Sequence, residues 1–164
     1  MTQDNRTLEQ VYKSAVKGLY ARITSYYNYL YDRFGQEGLD MISEMSREYG
    51  ESIVPRARKA LGKNDIESVA GYLLRILRTV DWNTDGIKLI SNSPEEIIIR
   101  VEDCPLHFKN PELCLAHTTM EKTVVEGLNP NIKYTIGKSI PAGDGFCEHI
   151  LSLKNESGSK KNDY

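Results

Sequence analysis

The chain has 164 residues, a formal net charge of -2 at pH 7 and 40% hydrophobic residues. That length is close to one domain and sufficient to bury a core and a pocket. The charge balance and a pI near 6.0 argue against the clustered basic surface of a nucleic-acid binder. No run approaches the roughly 18 apolar residues of a membrane span, and the polar start MTQDNRTLEQ lacks the basic-then-apolar order of a signal peptide. A cytoplasmic chain with neither a nucleic-acid nor a membrane partner is expected, and its three cysteines should be free thiols or ligands.

Thr7 and Gln10 form a capping-box pattern that opens a first helix ending near Gly35. Its apolar residues Leu8, Val11, Tyr12, Ala15, Leu19, Ile23, Tyr26, Tyr27 and Leu30 recur at helical intervals. The tyrosines at positions 26, 27, 29 and 31 point to different sides of such a helix and are expected to pack rather than form a ligand box. A second helix carries Leu39, Ile42, Met45, Tyr49 and Ile53, and Pro55 should kink or interrupt it. Glu44, Glu48 and Glu51 on that helix are expected to form a solvated acidic face. A third helix begins at Asn64 and carries Ile66, Val69, Ala70, Leu73, Leu74 and Leu77.

Beyond residues 81–86 the texture changes to short β-branched runs, 87–90 and 96–101, separated by Ser-Asn-Ser-Pro, which predicts a hairpin. Asn110-Pro111-Glu112 supplies a cap, a first-turn proline and an acid for a fourth helix to about Gly127. Strands over 132–140 and 146–153, with a turn at 141–145, complete the order. The expected fold is α+β: N-terminal helices packed on a small antiparallel sheet, with a helix inserted between two β-hairpins. Residues 1–154 would form this one unit, and the polar segment 155–164 a disordered tail.

All three cysteines and all three histidines lie between residues 104 and 149. Cys114, His117 and Glu121 stand at i, i+3 and i+7, which places a thiol, an imidazole and a carboxyl along one helical face. Cys104 ends the strand feeding that helix, and Cys147 follows the last turn, so the sheet can bring both nearby. Two chemistries are open. Cys104, Cys114, His117 and Cys147 could hold zinc or another divalent transition metal, because soft sulfur donors favour such ions. Alternatively Cys114 or Cys147 could attack an electrophilic carbon as a thiolate, with His117 holding or shuttling the proton and a carboxylate orienting the imidazole. Plain packing of Cys104, an exposed loop position for His107 and a structural role for His149 are the competing expectations. A Cys104-Pro105 pair can ligate haem iron, but a dipeptide is too common to carry that assignment, so haem is not expected.

The segments FGQEGLDMISEMSREYG at 34–50, VEDCPLHF at 101–108, PELCLAH at 111–117 and KSIPAGDGFCEHIL at 138–151 together resemble the L-2-amino-thiazoline-4-carboxylate hydrolase-like family. The resemblance covers the chain up to its tail. Gly143-Asp144-x-x-Cys147 is also similar to the ending of the vinyl-4-reductase domain group, whose fold is related to haem nitric-oxide sensors and phenol-sensing regulators. The resemblance implies helices on an antiparallel sheet around a buried pocket, and it matches the family's cysteines to Cys104, Cys114 and Cys147. Related sensor domains hold a structural zinc with cysteines in the latter two regions and one more shortly before Gly-Asp. Here Lys138-Ser139-Ile140-Pro141 occupies that place, so a fourth ligand would have to come from Cys104, His117 or Glu121. The implied activity is hydrolysis of a small cyclic amidine-type or amide-type substrate, with a small-molecule sensor as the alternative. A homodimer is an open assembly state.

Overall fold

The computed structural model describes residues 6–80 and 84–154. The expected tail at 155–164 and the Trp82 segment lie outside the described residues. Among the described residues, five α-helices and four strands follow one another as α1 (Leu8–Phe34), α2 (Gln36–Leu61), α3 (Ile66–Val80), β1 (Ile87–Asn92), β2 (Glu96–Val101), α4 (Pro111–His117), α5 (Thr119–Leu128), β3 (Ile132–Ile136) and β4 (Cys147–Leu153). The fold is α+β, as expected. The strands form one antiparallel sheet in the order β1-β2-β4-β3, so the two hairpins meet along β2 and β4.

Local chemistry accounts for most helix ends. The Thr7 hydroxyl accepts from the Gln10 amide while the Gln10 side chain accepts from the Thr7 amide, closing the predicted capping box. Gly35, at φ 55°, separates α1 from α2 in a conformation that favours glycine. Asp65, rather than Asn64, caps α3, its carboxylate accepting from the Ser68 amide. Asn110 caps α4 through the Glu112 amide.

Pro55 neither ends nor divides α2, which runs through it to Leu61. The ring is exposed, so the carbonyl of Glu51 that loses its amide partner faces water, where the loss is mild. Two apolar stripes also differ from the expected ones. On α1 the face turned inward carries Val16, Tyr20, Ile23, Tyr27 and Leu30, whereas Leu8, Leu19 and Tyr26 are exposed. On α2 Met45 and Tyr49 are exposed and the buried line runs through Ile42, Ser46, Gly50, Ile53 and Ala57.

Small residues win on α2 because α5 lies close against it. A methyl added at Gly50 would stand 2.9 Å from the Met120 carbonyl oxygen and 2.9 Å from the Thr123 Cβ. Gly50→Ala is therefore expected to destabilise the fold by about 1–3 kcal/mol, read as a lower urea midpoint at unchanged slope.

The buried apolar residues form two clusters, the first of them against the inner face of the sheet. One joins Val69, Leu73, Ile97, Ile99, Val124, Leu128, Ile132 and Leu151 from α3, α5 and the strands. The other joins Tyr20, Tyr27, Ile42, Leu106, Phe108, Leu113 and Cys114 from α1, α2, α4 and the loop after β2. Among the described residues no helix is long and apolar enough to cross a membrane. Glu44 and Glu51 are solvent-exposed and pair with Arg47, as a solvated acidic face requires.

Candidate functional site

The expected fourth helix is divided at Thr118 into α4 and α5. The Thr118 and Thr119 hydroxyls both donate to the Leu115 carbonyl, a local competition that loosens a helix. The i→i-4 bonds of Thr118 to Cys114 and of Lys122 to Thr118 nevertheless persist. The i, i+3, i+7 face therefore survives, and Cys114, His117 and Glu121 all line one cavity.

That cavity lies where the two clusters meet, between α4–α5 and the ends of the strands. Cys104 and Leu106 contribute from the loop after β2, Ile136 from β3, Cys147 and His149 from β4, and Tyr20 and Leu77 from the first and third helices. The cavity volume of about 90 Å³ leaves room for several waters or a compact organic ring. All five candidate residues named from the sequence line it. His107 does not: it is exposed in the loop at φ 49°, as expected.

Burial dominates the electrostatics. It pushes the Cys114 thiol up to about 12, reinforced by the nearby Cys147 and Cys104 sulfurs, and raises Cys147 as well, although the Ile140 amide donates to its sulfur at 3.3 Å. Both are thiols at neutral pH. Neither is thus the low-pKa thiolate that a nucleophilic cysteine needs, and among the described residues no hydrogen bond joins either sulfur to a histidine. Iodoacetamide at pH 8 is expected to modify Cys114 about a thousandfold more slowly in the native than in the unfolded protein, since its thiolate fraction falls by about that factor. Peptide mapping by mass spectrometry reads the result.

Glu121 is buried, and desolvation raises its carboxyl pKa, partly opposed by His117. Its Oε2 has no hydrogen-bond partner among the described residues. A buried polar atom left in this way carries a free-energy cost, and one at a cavity wall marks where a ligand group or water would bind. His117 sits against Phe108 and Tyr27, with ring centroids 5.9 and 5.8 Å away, and its Nδ1 is 3.5 Å from the Tyr27 hydroxyl.

His149, expected to be structural, is buried in the cavity wall, and its Nδ1 is 2.6 Å from the Tyr134 hydroxyl. Burial, with help from His117, lowers its pKa to about 4, so the ring is neutral. Tyr134 was not among the sequence candidates. Strand parity places it on the inward face, but its diagonal approach to His149 depends on the β3–β4 register. Asp144 of the Gly-Asp motif does not line the cavity; its carboxylate accepts from the Ser139 amide just before the 3-10 turn Ile140–Ala142.

Three thiols and an imidazole form a donor set that suits zinc. Among the described residues, no three His, Cys, Asp or Glu side chains stand grouped as a metal site. Loading an ion would require side-chain rotation and removal of the Cys114 proton, so its affinity would rise with pH. No protein-family model and no curated protein matches the chain.

Proposed function

We propose that the chain binds a small, compact heterocycle in this cavity and opens it by hydrolysis, with Glu121 as general base. The substrate class is a cyclic amidine-type or amide-type ring, thiazoline carboxylate-like, and the resemblance to the L-2-amino-thiazoline-4-carboxylate hydrolase-like family points the same way. The observation that carries this is the Glu121 carboxyl: buried, without a partner for Oε2, raised in pKa and at the wall of a cavity with room for water. A carboxyl displaced toward neutral pH by burial is suited to proton transfer.

In the proposed step the carboxylate takes a proton from water as the water oxygen bonds to the C=N or C=O carbon. The π pair of that double bond moves onto its nitrogen or oxygen, and the proton then passes from Glu121 to the ring nitrogen as its remaining bond to the carbon breaks and a C=O bond forms. Water supplies every atom added, and no oxidant or reductant is required. A divalent transition metal, where bound, would be held by Cys104, Cys114, His117 and Cys147 and would supply Lewis-acid polarisation.

The second reading is a small-molecule sensor or carrier without turnover. It draws on the mainly apolar wall and on thiols that are protonated and therefore unreactive. A panel of thiazolines, cyclic amidines and small lactams, assayed by mass spectrometry for products 18 Da heavier, separates the two. Hydrolysed product supports the enzyme; a ligand-induced rise in melting temperature without product supports the sensor.

A further inference from the structure

Tyr134 and His149 are neighbours on the inward face of β3 and β4. The phenol and the imidazole Nδ1 are 2.6 Å apart and buried. A buried phenol proton needs an acceptor, and among the described residues Nδ1 is the acceptor within reach. Tyr134 therefore donates, Nδ1 accepts with its lone pair, and the imidazole carries its proton on Nε2. The histidine thus brings an N–H donor to a cavity wall that also holds the buried, unpartnered Glu121 Oε2, while the Thr118 hydroxyl there is spent on the Leu115 carbonyl.

Resting on the cavity being the substrate site proposed above, we propose that His149 is its specificity-determining donor. Tyr134 acts as the positioning residue that fixes the imidazole tautomer. The ligand selected is a small ring that carries both an N–H donor, to meet Glu121, and an acceptor atom, to meet His149 Nε2–H. An analogue without the acceptor leaves that N–H buried and unpaired, and sites built around such groups reject it strongly.

The probes are 2-aminothiazole, which carries an amino donor and a ring acceptor, and aniline, which has the amino group on an apolar ring with no ring acceptor. Two-bond proton–nitrogen spectra of protein labelled with 15N-histidine should show His149 protonated on Nε2 in the free protein. The Nε2–H signal should move on adding 2-aminothiazole. Calorimetry should show 2-aminothiazole binding at least about tenfold tighter than aniline, and Tyr134→Phe should collapse that ratio towards one while the protein keeps its cooperative melt.

A proton on Nδ1 in the wild-type spectrum overturns the proposal even if Tyr134→Phe fails to fold. Equal affinity for the two probes, or no binding of either at millimolar concentration, overturns it as well. Preference for 2-aminothiazole with no turnover of the hydrolysis panel upholds the donor and refutes the hydrolase; turnover with equal probe affinities does the reverse.

Discussion

Acidification from pH 6.5 to below pH 4 is expected to remove about 3 kcal/mol of folding stability through His149 alone. Its pKa is lowered from 6.5 to about 4, first by burial and then by the nearby His117. A depressed folded-state pKa means that the unfolded chain takes up the proton first. The stabilisation is therefore fully present above pH 6.5 and is lost as pH falls through about 4. Tyr134 on β3 hydrogen-bonds the ring and the nearby His117 on α4 acts on it electrostatically, and neither supplies a negative charge that would welcome an imidazolium. His149→Gln keeps an oxygen acceptor for the Tyr134 hydroxyl and removes the titration. Urea unfolding at pH 7 and pH 4 measures the comparison: the wild type should lose about 2–3 kcal/mol more than the variant over that interval. Equal losses would show that His149 is neither buried nor neutral in the folded protein.

The second large effect concerns Glu121. Glu121→Gln preserves shape and an acceptor oxygen but cannot take a proton, so it should reduce hydrolysis roughly 10²–10⁴-fold. The wild-type rate should rise as pH climbs through the raised carboxyl pKa and level off above it, because the base must be ionised. Stability moves the opposite way. A raised folded-state pKa contributes stability that is fully present below the unfolded glutamate pKa and is lost as pH rises through the folded value. Glu121→Gln should therefore be more stable than the wild type at neutral and alkaline pH, the exchange expected of a strained functional group. Thermal melts at pH 5 and pH 8 check the sign.

The architecture was legible because capping chemistry and hydrophobic period are local. Thr7, Asn110 and Gly35 announce their helix ends within a few residues, and the β-branched runs after residue 86 pair as hairpins. Errors arose where a distant partner decides which side of a helix is buried. Gly50 and Ser46 give no hydrophobic signal, yet the close approach of α5 puts them inside and turns Met45 and Tyr49 to water. The candidate site was legible where it is helical: Cys114, His117 and Glu121 share a face by spacing alone, and that face lines the cavity. Cys104 and Cys147 join it through the pairing of Val101 with Cys147 across β2 and β4. A histidine on a buried strand position, such as His149, has the same sequence signal whether it packs or serves. Its contact with Tyr134, which depends on inter-strand register, is what the sequence does not show.

The central claim is tested most directly by single-turnover hydrolysis of 2-amino-thiazoline-4-carboxylate with wild-type protein and Glu121→Gln in parallel. Ring-opened product from the wild type, at a rate that rises with pH and falls at least about a hundredfold in the variant, is the predicted result. No product under conditions where calorimetry shows the substrate bound, or equal rates for the two proteins, would contradict it.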